Sequence, residues 1–154
     1  MQLSNANLRS PSYFIARTQA RCEHCDQLSN VIALALPPGH EVQLDGGWEY
    51  VDGNAFIFYV EELAAPISRR LMQIAPLLGR EREEGHRHAY WANHCEHCGL
   101  MLSDDTLHCE PGGFMPTQPD EAVAMQLTRV AEAFSAEAAG YALEPELFSL
   151  IRRL

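Results

Sequence analysis

Two tetrapeptides in the chain are identical: Cys22-Glu23-His24-Cys25 and Cys95-Glu96-His97-Cys98. A C-x-x-C turn sets two sulfurs on one side of a tight loop, and two such turns facing each other supply the four thiolates of a tetrahedral site, with zinc–sulfur bonds of about 2.3 Å. Cys22, Cys25, Cys95 and Cys98 are therefore the predicted ligands of a structural Zn²⁺. Gly99, directly after the second pair, stands where such a knuckle needs a positive φ so that backbone N–H groups turn toward sulfur. Four-sulfur geometry suits iron as well as zinc, and colour distinguishes the two. A thiol-redox role needs its first cysteine at a helix N-terminus, and neither pair opens a helical pattern. Cys109 makes the cysteine count odd, which fits reduced thiols around a metal better than a disulfide framework.

A four-thiolate zinc has no open position for water or substrate, so the predicted site is a scaffold and not a catalyst. Other groups could do chemistry. Asp104, Asp105, His108, Cys109 and Glu110 could form a second metal site or a Cys–His pair; the simpler reading is polar turn residues beside a small buried cysteine. His24 and His97 lie inside the knuckles and His94 beside one, where side chains usually point outward.

Bringing two pairs so far apart in sequence together requires the intervening chain to fold back. Tyr13–Arg17 and Val31–Leu36 are aromatic and β-branched, and they flank the first knuckle as strands. Glu41–Leu44, Trp48–Val51 and Ala55–Val60 continue as a meander, separated by Asp45-Gly46-Gly47 and Asp52-Gly53-Asn54 turns. Leu63, Ile67, Leu71, Ile74 and Leu78 then recur at helical steps, with Gly79 placed to end the helix. Residues 80–88 carry charges that cancel and read as a solvated loop. Ala89–Asn93 leads into the second knuckle as a strand, and Leu107-His108-Cys109 reads as a short returning strand. From Pro119 onward Val123, Leu127, Val130 and Phe134 line one side of a helix closed by Gly140, and a last helix spans about 145–153. The expected fold class is α+β: a mainly antiparallel sheet with a four-Cys zinc-ribbon-like site and two or three covering helices. Its parts are a flexible arm over 1–11, an α+β zinc-binding domain over 12–118 and a helical segment over 119–154 packed on the same domain.

With 154 residues the chain is short of the roughly 250 at which domains usually divide. It is 47% apolar and 21% charged, an ordinary globular mixture. No apolar run approaches a membrane span and the first residues lack a signal-peptide pattern, so a cytoplasmic protein is expected. Asp and Glu number 21 against 11 basic residues, all of them arginine, for a formal charge of −10. Four thiolates on Zn²⁺ would take this to −12, a charge that disfavours nucleic acid and favours a basic protein partner. Trp48, Trp91 and Phe114 are candidate anchors for it. A homodimer burying the apolar stripes of helices 120–154 is a further possibility.

From Tyr90 to Pro116 the chain resembles small bacterial proteins with a zinc-ribbon-like element, in which an aromatic, an Asn and a C-x-x-C-G precede an Asp and a Phe-Pro ending. Trp91, Asn93, Cys95, Cys98, Gly99, Asp105 and Phe114 carry the likeness, and Cys22 and Cys25 ahead of an apolar strand belong to the same picture. The resemblance implies zinc binding and no known activity. A second resemblance, carried by His40 between the C-x-x-C pairs and Asn93 shortly before the second, is to zinc-knuckle nucleases of the His-Asn-His type; the corresponding enzyme reading gives His40, Asn93 and His108 a hydrolytic role around a second metal. Gly39 stands where that family has an Asp before the histidine, and the acidic charge opposes gripping a polyanion. The expectation is thus a non-catalytic zinc-stabilised binding module, with the metal-dependent nuclease as its alternative.

Overall fold

The computed structural model describes residues 3–154. Twelve strands follow in chain order: β1 (Leu8–Ser10), β2 (Tyr13–Arg21), β3 (Leu28–Leu36), β4 (His40–Leu44), β5 (Gly47–Val51), β6 (Ala55–Leu63), β7 (Gly79–Glu81), β8 (Tyr90–His94), β9 (Met101–Leu102), β10 (Gln126–Val130), β11 (Phe134–Leu143) and β12 (Arg152–Arg153). Helix α1 (Ala65–Ile74) lies between β6 and β7, α2 (Asp104–Cys109) and α3 (Pro119–Ala124) between β9 and β10, and one 3-10 turn covers Phe148–Leu150. Nine strands form one sheet in the order β12-β10-β2-β3-β6-β11-β1-β4-β5, and β7-β8-β9 form a smaller one. All pairings are antiparallel except β10 with β12. The α+β class with a mostly antiparallel sheet is as expected.

The central strands are apolar on both sides because both faces of the large sheet are covered. On β2, Tyr13 and Ile15 point to one face, where Ile67 and Leu71 of α1 pack. Phe14 and Ala16 point to the other, toward Leu107, Phe114, Met125 and Phe148. Helix α1 opens on Pro66 in its first turn, where a missing N–H costs nothing. Its last turn ends at Ile74, ahead of Pro76, so Gly79 opens β7 and does not close the helix.

Three expectations are corrected. The C-terminal segment is not helical: only Pro119–Ala124 and the 3-10 turn are, while β10 and β11 sit inside the large sheet. Leu127 and Phe134, seven residues apart, fit a helical stripe, but they lie on two strands that are not neighbours, β10 beside β2 and β11 between β6 and β1, and both are buried as strand residues. Along β11, Phe134, Ala136, Ala138 and Gly140 are buried at every second position, so pairing between β6 and β1 overrides the helix propensity of the alanines. The homodimer through helices at 120–154 loses its surface with them. Residues 1–11 are not a loose arm where they are described. Leu8 is buried in β1, which pairs with β11 and β4, and the Asn7 amide donates to the Ala138 carbonyl and accepts from its N–H; residues 1–2 lie outside the described part. Leu107-His108-Cys109 belong to α2, whose Ser103 N-cap accepts from the Asp105 N–H and whose first turn holds Asp104 and Asp105, the acidic start a helix favours.

Where β6 leaves β3 decides where the knuckles meet. The two strands pair only from Leu34–Ile57 to Leu36–Ala55. Beyond that point β6 bends: Tyr59 has a left-handed φ of 49°, and the register with β11 shifts between Glu137 and Ala138. The first half of β3 therefore has one free edge, and β8 fills the gap.

Candidate metal centre

Both knuckles are built the same way. The Cys22 N–H donates to the Gln27 carbonyl and the Asp26 N–H to the Cys22 carbonyl, each at 2.8 Å; the Cys95 N–H donates to Leu100 and the Gly99 N–H to Cys95, each at 2.9 Å. The N–H groups of His24 and His97 point at the Sγ of Cys22 and Cys95, at 3.4 Å in both cases. Gly99 has φ of 77°, as the sequence suggested, and Asp26 holds the equivalent place at 63°. The short polar side chain of Asp tolerates this conformation better than most.

The two turns converge. Cys22 Sγ lies 3.7 Å from Cys98 Sγ and Cys25 Sγ lies 3.6 Å from Cys95 Sγ, and all four sulfurs fall within 4.8 Å of one another. Four sulfurs on a tetrahedron around an ion at about 2.3 Å are about 3.8 Å apart, so the cluster has the dimensions of a metal site. Cys22 and Cys95 are buried and Cys98 is exposed, which places the site under one rim of the fold. The N–H groups of Cys98 and His97 lower the Cys95 thiol to about 6. The Cys25 thiol moves to about 12: the Gln27 backbone pulls it down, but desolvation and the three other sulfurs outweigh that. A metal ion bound here would displace thiol protons.

The second knuckle is fixed to the free edge of β3 by side chains that imitate a strand. The Asn93 Oδ1 accepts from the Ile32 N–H and its Nδ2 donates to the Ile32 carbonyl, both at 2.9 Å and both buried. The Asn30 N–H donates to Glu96 at 3.0 Å, the Glu96 N–H donates to Ser29 Oγ at 3.1 Å, and His97 Nε2 meets the Leu28 carbonyl at 2.8 Å. Three residues of the W-x-N-H-C-E-H-C run thus continue a ladder that β6 abandons. Sequence reasoning marked Asn93 for another role and gave Glu96 none. The signal that could have found them is the polar spacing 93, 96, 97 matched against β3 positions 28–32.

The other candidate residues are held apart from this centre. His40 is buried, with Nδ1 at 2.8 Å from the Pro37 carbonyl and Nε2 at 2.6 Å from the Tyr141 hydroxyl, and burial lowers its pKa. His108 is stacked between Phe58 and Phe114, with ring centroids 4.7 and 5.0 Å away, and burial lowers it to about 3. Asn93 is committed to Ile32. Asp104 and His108 line a cavity of about 30 Å³, the size of one water, together with Asn93, while His40 is not part of it. Among the described residues the four cysteines are the one group of three or more His, Cys, Asp or Glu that gathers as metal ligands; Asp104, Asp105, His108, Cys109 and Glu110 do not. His24 and His97 are exposed, and His94 bonds to the Leu77 carbonyl and Glu81. Burial, then Asp105, raises the Cys109 thiol, which keeps it protonated and unreactive.

Asp104 is nearly enclosed. Its Oδ2 accepts from the Tyr59 N–H, which the left-handed turn frees from the sheet, and its own N–H donates to the Tyr90 hydroxyl. That hydroxyl donates in turn to Glu83 at 2.7 Å. Burial raises Asp104 to about 7; the Tyr59 N–H opposes this and the Glu83 charge adds to it. Of the candidate anchors, Phe114 is buried and unavailable, Trp48 is half-buried under the Arg9 guanidinium at 4.0 Å, and Trp91 is half-buried. Among the described residues no helix is long and apolar enough to cross a membrane. Compared with known proteins, the chain matches no family model, no curated protein and no solved structure.

Proposed function

We propose that this protein is a zinc-stabilised binding module without catalytic chemistry of its own, and that its partner is a basic protein. The observation that carries the reading is the closed sulfur tetrad. Its four corners are all occupied by cysteines of the chain, so a zinc ion there has no position left for water or substrate, and its contribution is to hold two distant turns together. Thiolate ligands at this spacing favour zinc over the harder cations.

The choice of partner rests on charge. A chain at −10, or −12 with zinc and four thiolates, steers cationic surfaces toward itself and repels polyanions. Metal analysis of reduced, purified protein is expected to give one zinc per chain, with no hydrolysis of DNA on adding Mg²⁺ or Mn²⁺. Binding to purified basic proteins is expected to exceed binding to acidic ones and to weaken with salt. Metal-free folded protein would remove the scaffold; DNA cleavage lost on His40→Ala would replace it with the nuclease; binding indifferent to salt would remove the basic partner.

A further inference from the structure

The large sheet ends, on the side far from the knuckles, in a strand with nothing beside it among the described residues: β5, Gly47–Val51. Its hydrogen-bonding direction follows from the register. Gln43 stands opposite Trp48, and the Gln43 N–H donates to the Asn7 carbonyl, away from β5. Gln43 and Trp48 are therefore a pair without mutual hydrogen bonds, so the N–H and C=O of Trp48, and by alternation those of Tyr50, point out of the sheet. The Val51 carbonyl, which accepts from the Gly39 N–H at 2.8 Å, points inward, as this alternation requires. The edge is five residues long, holds no proline and no bulge, and is tied to β4 by a two-residue Asp45-Gly46 turn. Tyr50 is 68% exposed.

The side chains say what fits there. Glu49 lies between Trp48 and Tyr50 and points to the opposite face. Among the described residues it makes no ion pair, and neither do Asp45 and Asp52 at the two ends of β5; the one acid of the hairpin that does is Glu41, with Arg9. A second copy of the strand using both outward residues would pair Trp48 with Tyr50 and set Glu49 against Glu49, which like charges disfavour. A strand with Arg or Lys opposite Glu49 and aromatic or β-branched residues on either side gains the ion pair and two packed cross-strand pairs.

The geometry points to β5 as the docking edge for an extended segment of a basic protein, read as apolar–basic–apolar and added antiparallel as a tenth strand. This rests on the basic-partner reading above and gives that partner a place. The test uses the metal-loaded full chain, labelled with ¹⁵N, and a blocked peptide of alternating valine and arginine, with alternating valine and glutamate as control. The arginine peptide is expected to shift the Trp48 and Tyr50 amide signals and slow their hydrogen exchange. Tyr50→Pro, which removes an outward N–H and no bond to β4, is expected to abolish this, and Glu49→Arg to weaken it by about tenfold. Metal content and the β2–β3 amides should be unchanged in both variants.

Unmoved Trp48 and Tyr50 amides, or equal binding by Tyr50→Pro, would overturn the edge. If the arginine peptide then still bound elsewhere with salt sensitivity, the basic-partner reading would survive without it. Equal binding of the glutamate peptide at these amides would overturn the charge argument in both. Concentration-dependent dimers abolished by Tyr50→Pro would give the edge to a second copy and overturn the proposal.

Discussion

Asn93 spends its whole amide on one residue of a neighbouring strand. Truncating it leaves the Ile32 N–H and C=O buried and unpaired, so Asn93→Ala is expected to cost about 2–4 kcal/mol in urea unfolding of the metal-loaded protein. Asn93→Asp should restore little, because a carboxylate cannot donate to the carbonyl. Asp104 and His108 carry opposite pH signatures. Asp104 is held near 7, above its ordinary value, so its contribution is fully present below about 4 and is lost as pH rises through 7. His108 is held near 3, so its contribution is present above about 6.5 and is lost as pH falls through 3. Between about 4 and 6.5 the two slopes cancel. Asp104→Asn removes one of them, and relative to wild type the variant is expected to gain about 2 kcal/mol between pH 5.5 and 8. Denaturation at both ends of that range checks this, and the comparison with wild type removes the pH dependence of metal binding common to both.

At the scale of elements, much of the scaffold was legible. Alternation and turn residues marked β2 to β6, and the apolar step of three and four marked α1. The cysteine spacing alone picked out the four residues whose sulfurs cluster, because a C-x-x-C turn is a local structure whose geometry does not depend on what surrounds it. The far third was misread for the opposite reason: β11 is rich in alanine, and only its two neighbours in the sheet make it a strand. The same holds for Asn7 and Asn93, whose amide side chains have no evident partner in the sequence until a strand appears beside them. Gly140 of β11 stands where the sequence predicts a helix stop, yet its role is to let the Phe58 ring come close. A methyl group there would lie 2.3 Å from Phe58 Cδ2, and Phe58 is stacked on His108. Gly140→Ala is expected to displace that ring and cost about 1–3 kcal/mol, read as a lowered unfolding midpoint.

For the molecule as a whole, one sheet with two covered faces explains how 154 residues hold together two knuckles separated in sequence by four of its nine strands. The Cys95–Cys98 turn reaches the Cys22–Cys25 turn only because β6 bends away and β8 takes its place against β3. A metal on the four sulfurs would therefore support the same joint as the Asn93 and Glu96 contacts. Chelation under reducing conditions is expected to undo it: the β8–β9 amides next to the knuckle should lose hydrogen-exchange protection first. The unfolding midpoint should fall steeply, since assembled zinc sites contribute on the order of 10 kcal/mol in small peptides and a typical domain has about 5–15 in total.

A metal on the sulfur tetrad would also make a closed ring out of an open thread. Cys22 and Cys98 are 76 residues apart in sequence and 3.7 Å apart at their sulfurs. With a metal bound, a pull on the two ends of the chain would run along β2, cross the ion and leave by β9 and α2, so everything between would stay slack inside the loop. In a force-extension trace the loaded protein should come up short by roughly 270 Å at about 3.6 Å per residue, and yield that length in one late rupture when the metal–sulfur bonds break. Soaked in chelator beforehand, the same molecule should pay out its full contour with no late step.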